Sequence, residues 1–155
     1  MRVVGEVVDK VSEAARRLEA CGHRATPQRM AVIDALVAHR TYATAQDLHA
    51  AVRCAQPHLG LATVYRTLEL LVDCGLAEPF PQPNNELRYA FCSAQHHHHL
   101  ICKTCGLVDE VPGCALQGLQ RDIEQTSQFA IEEHALTFFG ACRDCRGRSP
   151  QDAAP

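Results

Sequence analysis

Residues 61–91 read LATVYRTLELLVDCGLAEPFPQPNNELRYAF, and the change of rhythm inside this stretch decides the fold. From Leu61 to Cys74 the apolar positions Val64, Leu68, Leu71 and Val72 recur at helical spacing, and Gly75 is the stop. Ala62, Tyr65, Arg66, Glu69 and Asp73 fall on the opposite face. Past the glycine the period shortens. Leu76–Phe80 and Glu86–Phe91 flank a Pro/Asn-rich turn, and the second arm alternates Leu87, Tyr89 and Phe91 with Arg88 and Ala90, as a strand does. A short amphipathic helix that shows an aromatic and an Arg near its N-terminus suits the major groove of duplex DNA. Arg66 can pair bidentately with guanine, and Tyr65 can meet a thymine methyl or a phosphate.

Upstream lie three more helices. Residues 3–21 carry Val4, Val7, Val8, Val11, Ala15 and Leu18 at spacings of three and four, closed by Cys21-Gly22. Thr26 followed by Pro27 is a helix start, and Met30, Ile33, Leu36 and Val37 give that helix its stripe. Thr44 opens the next, with Asp47 in its first turn and Leu48, Ala51 and Val52 inward. Three helices followed by a hairpin form a winged helix-turn-helix, with the first helix as an added arm. Downstream, residues 96–103 and 107–112 read as strands joined at Cys105-Gly106. Residues 115–127 read as a helix with Leu116, Leu119 and Ile123 inward, and 129–139 as a further strand. The expected class is therefore α+β. A winged-helix domain spans 1–91, a small metal-binding α/β domain 92–146, and a disordered tail 147–155.

Residues 92–105, Cys-Ser-Ala-Gln-His-His-His-His-Leu-Ile-Cys-Lys-Thr-Cys, carry the chemistry. Thiolate and neutral imidazole are the donors that borderline-soft divalent metals prefer, above all zinc. Cys102 and Cys105 form one C-x-x-C pair, and Cys142 and Cys145 repeat the spacing. Two such pairs close a four-thiolate tetrahedral cage, which leaves no open position and is structural. On a strand, His97 and His99 share one face and His96 and His98 the other, so one run can feed two metal sites. Cys92 stands at the hinge and Glu78 on the wing. A site of Glu78, Cys92, His97 and His99 would bind well only at one mutual angle of the two halves, which is how a metal acts as a switch.

Composition sets the remaining bounds. The chain has 155 residues, 46% of them apolar, no Trp and a net charge of −3. Residues 1–91 hold ten basic and ten acidic side chains, so the acidic excess lies entirely in 92–155. Any DNA contact therefore rests on a local basic face of the first half. No apolar run approaches a membrane span. Nine cysteines, an odd number, without an N-terminal apolar leader indicate a reducing cytoplasm rather than a disulfide framework.

With Arg24 to Arg29, Leu61 to Leu68, His96 to Cys102 and the two C-x-x-C pairs, the chain resembles the ferric uptake regulator family over roughly residues 10–146. The resemblance implies a homodimeric, metal-dependent transcriptional repressor with an N-terminal winged helix and a C-terminal α/β dimerisation domain, binding operator DNA. It assigns structural zinc to Cys102, Cys105, Cys142 and Cys145. It assigns the sensing site to Glu78, Cys92, His97 and His99, and an accessory site to His96, His98 and His134. Tyr65 and Arg66 would read bases, and Arg24 would reach the minor groove. The accessory site of such proteins has a Glu where this chain has Gln117, so the site is expected to be weak, vacant, or completed by another acid such as Glu110. Iron and peroxide sensors use nitrogen and oxygen donors and a His near the position of Tyr42. Here Cys92 supplies a thiolate, which favours zinc and the zinc uptake regulator branch. An iron-, manganese- or peroxide-responsive regulator, with Fe(2+) or Mn(2+) at the regulatory site, is the alternative.

An enzyme is disfavoured. Zinc hydrolases and deaminases need an open zinc position beside a general-base Glu, as in H-E-x-x-H or H-x-E with P-C-x-x-C, and neither motif occurs. No small-molecule substrate and no membrane partner are expected. Cys21, Cys54, Cys74 and Cys114 read as small buried residues without a role.

Overall fold

The computed structural model describes residues 4–39, 41–82, 84–92, 97–112, 114 and 116–147, with side chains omitted at 4–7 and 112. It divides into two compact units, Met1–Ala94 and Gln95–Pro155. Of the tail expected to be disordered, 147–155, residues 148–155 lie outside the described residues, as does His96, whereas Gly147 belongs to a turn.

The first unit opens with helix α1 (Val4–Ala20), then α2 (Pro27–Ala38), strand β1 (Ala43–Thr44), α3 (Ala45–Val52) and α4 (Leu61–Asp73). The wing follows as β2 (Ala77–Pro81) and β3 (Leu87–Phe91). The helix starts are built from local chemistry. Thr26 caps α2 through its hydroxyl, which accepts from Arg29 N, with Pro27 in the first turn. Thr44 and Asp47 form a reciprocal capping box on α3. Two helix ends also share one device. After α1, Gly22 (φ 84°) donates to Glu19 O and His23 donates to Leu18 O; after α4, Gly75 (φ 63°) donates to Val72 O and Leu76 donates to Leu71 O. This is the left-handed glycine closure in which two amides satisfy the last free carbonyls. Arg17 ties the two ends together, donating to Cys74 O at 3.4 Å and Gly75 O at 3.3 Å.

Leu18, Ile33, Leu36, Leu48, Leu68 and Leu71 are fully buried and join all four helices in one core. The inward face of α1 is Val11, Ala14 and Leu18. Val8 is exposed and Ala15 is only half-buried, which corrects the expected stripe by one position at Ala15. Ala51 likewise faces solvent. β3 pairs with both β2 and β1 to give a three-stranded antiparallel sheet, with Glu78 opposite Ala90 and Ala43 opposite Tyr89.

The second unit contains β4 (His97–Cys102), β5 (Val108–Pro112), α5 (Gln117–Ser127) and β6 (Thr137–Gly140). β4 is central, antiparallel to β5 and parallel to β6. The expected strand over 129–139 is confined to its last residues; 129–136 have no regular structure. Leu119 and Ile123 do not face inward, and no side chain of α5 is buried. Amphipathic spacing reports an apolar face without saying what covers it. Among the described residues of this unit, the buried positions are His98, His99, Ile101, Cys102 and Cys145. So thin a core is characteristic of a domain held by metal.

Candidate metal centres and nucleic-acid face

The cage residues sit on two tight turns. Cys102 to Cys105 turn with Gly106 N donating to Cys102 O at 2.9 Å, and Cys142 to Cys145 with Cys145 N donating to Cys142 O at 3.0 Å. Left-handed Gly106 (φ 70°) and Gly147 (φ 88°) end the two turns. The four thiols lie within 4.8 Å of one another, and Cys105 Sγ is 3.7 Å from Cys142 Sγ. Four sulfurs about 2.3 Å from a zinc ion in a tetrahedron are about 3.8 Å apart, so the donor set fits. The electrostatics agree. Amide donation from Cys142 pulls the Cys102 thiol down to about 6, aided by the amides of Cys105 and Thr104. The neighbouring Cys142 thiol and burial push Cys145 up to about 12. One thiolate can form here unaided; several need a cation among them.

On β4, His97 and His99 present one face, their rings 4.8 Å apart and edge-on. His99 pairs across the ladder with Glu110, and the Glu110 carboxylate stands 3.8 Å from His97 Nε2. Glu110 therefore lies with His97 and His99, not on the accessory face for which the sequence suggested it. In the first unit, Cys92 is buried, its amide donating to Leu76 O at 2.9 Å, and Glu78 is half-buried on β2. Tyr42 is a packing residue: it stacks on Phe80, ring centroids 6.3 Å apart, and Arg88 lies 5.3 Å over its ring.

The opposite face of β4 presents His98, whose ring lies 5.4 Å from that of His134. Beside them is Cys114, its Sγ 3.2 Å from His134 Nε2. Sequence reasoning left Cys114 without a role, and 20 residues separate it from His134. Gln117 is exposed at the start of α5. Of the other unassigned cysteines, Cys21 and Cys54 are exposed rather than buried, and Cys74 is half-buried.

In the winged helix, Ala62, Tyr65, Arg66, Glu69 and Asp73 are all exposed on α4, opposite the buried Val64, Leu68 and Leu71. Gln46 of α3 donates to Tyr65 Oη at 3.2 Å, and Arg66 Nε donates to Ala62 O at 3.3 Å, so both side chains are poised along the helix. Arg24 is exposed in the loop before α2, its carbonyl accepting from Arg29 at 2.8 Å.

A winged helix joined to a small unit with clustered thiols and imidazoles defines a metal-binding regulator class. Comparison with known proteins agrees: the Ferric uptake regulator family matches residues 20–139. The chain belongs to that family, whose members are metal-dependent transcriptional regulators and not enzymes. It is 33% identical over 147 residues to the ferric uptake regulation protein of Bacillus subtilis (strain 168), covering 92% of this chain and 99% of that protein. It is 29% identical over 127 residues to the peroxide-responsive repressor PerR of Staphylococcus saprophyticus, covering 82% and 85%. The fold also resembles a zinc uptake regulator solved in complex with zinc and DNA, with a TM-score of 0.70, 23% identity and coverage of 94% and 97%. No described helix is long and apolar enough to cross a membrane.

Proposed function

We propose that this chain is a zinc-responsive repressor of zinc uptake genes. It binds operator DNA as a homodimer when zinc occupies a sensing site built from Glu78, Cys92, His97 and His99. Two observations support the reading: Cys92 is a buried thiol at the end of the first unit, and in the second unit the His97 and His99 imidazoles share one face of β4. One carboxylate, one thiolate and two imidazoles make four donors of mixed softness. Zinc accepts that set readily, whereas ferrous iron and manganese favour more nitrogen and oxygen ligands. Cys102, Cys105, Cys142 and Cys145 hold structural zinc, and Tyr65, Arg66 and Arg24 contact DNA. Zinc at the sensing site favours the DNA-competent state by its higher affinity for that state.

The test is a binding titration with a duplex selected from a randomised pool, under buffered free zinc, ferrous iron and manganese. Wild type should respond to zinc at the lowest free concentration. Cys92→Ser should keep one structural zinc per chain and lose the zinc response. A wild type that responds first to iron or manganese overturns the zinc assignment in favour of an iron-, manganese- or peroxide-responsive regulator.

A further inference from the structure

We propose that Cys114 is a zinc ligand at the accessory site to which the family resemblance assigns His98 and His134, its thiolate standing in for the carboxylate that Gln117 does not supply. One donor atom from each residue falls within 4.8 Å of the other two. Zinc with one thiolate about 2.3 Å away and imidazoles at about 2.0–2.1 Å sets sulfur and nitrogen about 3.5 Å apart. Cys114 Sγ is already 3.2 Å from His134 Nε2. Leu116 N donates to the same sulfur at 3.4 Å, a contact that favours the thiolate. His98 is buried, while Cys114 and His134 are half-buried, so the site is enclosed on one side and reachable on the other.

The three donors come from three separate segments. His98 is on β4, Cys114 lies between β5 and α5, and His134 sits in the irregular run before β6. The intervening helix α5 buries none of its side chains. A metal held by these three residues fastens α5 and the 128–136 segment to the sheet, where apolar packing does not. The thiolate also sets selectivity. A carboxylate in this place would suit iron or manganese; sulfur with two imidazoles suits zinc and tetrahedral cobalt. Among the described residues three donors meet here; His96, which the family resemblance also assigns to this face, lies outside them.

This site stands apart from the sensed-metal reading, and the experiment keeps them separate. Cys92→Ser protein, with its structural zinc retained and quantified, is titrated with cobalt(II). With Cys92 gone and the cage filled, a near-ultraviolet thiolate-to-cobalt band is assigned to Cys114, rather than to the remaining Cys21, Cys54 or Cys74, by its loss in Cys92→Ser/Cys114→Ser. The expected result is one bound cobalt carrying that band. Cys92→Ser/Cys114→Ser should lose the band with zinc content and far-ultraviolet spectrum unchanged. Cys92→Ser/Cys114→Asp should bind cobalt again without the band, which guards against a merely misfolded serine variant. Absence of the band in Cys92→Ser, or its persistence in Cys92→Ser/Cys114→Ser, overturns the proposal.

Discussion

Cys105 Sγ and Cys142 Sγ lie 3.7 Å apart although 37 residues separate them in the chain. That spacing is the edge of a zinc–thiolate tetrahedron, and it joins the β4–β5 turn to the segment after β6. With so few buried apolar residues in 95–155, metal affinity in the cage is folding energy for this unit. The protein as isolated should hold about one zinc per chain that mild chelators leave in place. Cys102→Ser should lose that zinc and the amide-exchange protection of β4 while α1–α4 stay protected. Retained protection of β4 in zinc-free protein would show that apolar packing suffices.

How much of this was legible in the sequence differs by element. Both faces of α4 could be read because periodicity and stop are local, and every residue assigned to its polar face is exposed. β1 could not, since two residues carry no period and Ala43–Thr44 are a strand only because β3 lies beside them. Register decides which β4 residue faces Glu110 but not which face it is on: a turn centred on Cys105-Gly106 would set it opposite Ile101, the four-residue loop after Cys102 sets it opposite His99, and both residues share the face of His97. Cys114 was missed for a plainer reason. It reaches His134 through a segment without regular structure, and no spacing rule anticipates that convergence.

Arg66 should matter to operator sequence more than to DNA binding in general. It is exposed on the outer face of α4, one residue from Tyr65. Arg66→Ala should weaken binding to the selected duplex by about 1–3 kcal/mol if it makes a bidentate base contact, and weaken binding to unrelated DNA much less. Arg24→Ala should reduce both more evenly. Fluorescence anisotropy on the two duplexes gives the ratio, and an unchanged ratio for Arg66→Ala would remove α4 from the base-reading role.

The α3 cap predicts an acid limit on the first unit. The Thr44 amide, then its hydroxyl, hold the Asp47 carboxyl below its ordinary value of 3.8. A carboxyl lowered in the folded state contributes stability that is complete above its unfolded pKa and is lost as pH falls through the folded one. The loss should therefore appear below about pH 4. All three tyrosines lie in residues 1–94 and the chain has no Trp, so tyrosine fluorescence reports this unit alone. In urea melts Thr44→Ala should cost about 0.5–2 kcal/mol at neutral pH. Asp47→Ala should also show a shallower decline below pH 4 than wild type. A wild type and Asp47→Ala that decline in parallel would show that other carboxylates set the acid limit.

The apolar face of α5 bears on assembly. Leu119 is 55% exposed and Ile123 43%, one turn apart on a helix that buries nothing within its own chain. Two large aliphatic side chains on one stripe are out of place in water unless another surface covers them, and the proposed homodimer supplies that surface. A two-fold axis would use the same patch in both chains, so one substitution removes apolar contact twice. Ile123→Glu should place two carboxylates in the apolar contact, and shift sedimentation toward the monomer mass. Leu119→Ala should weaken the dimer without abolishing it. Cage zinc and tyrosine fluorescence should be unchanged in both, which separates lost assembly from lost folding. If Ile123→Glu sediments as wild type at every concentration, α5 is not part of the dimer surface, and the stripe has another cover.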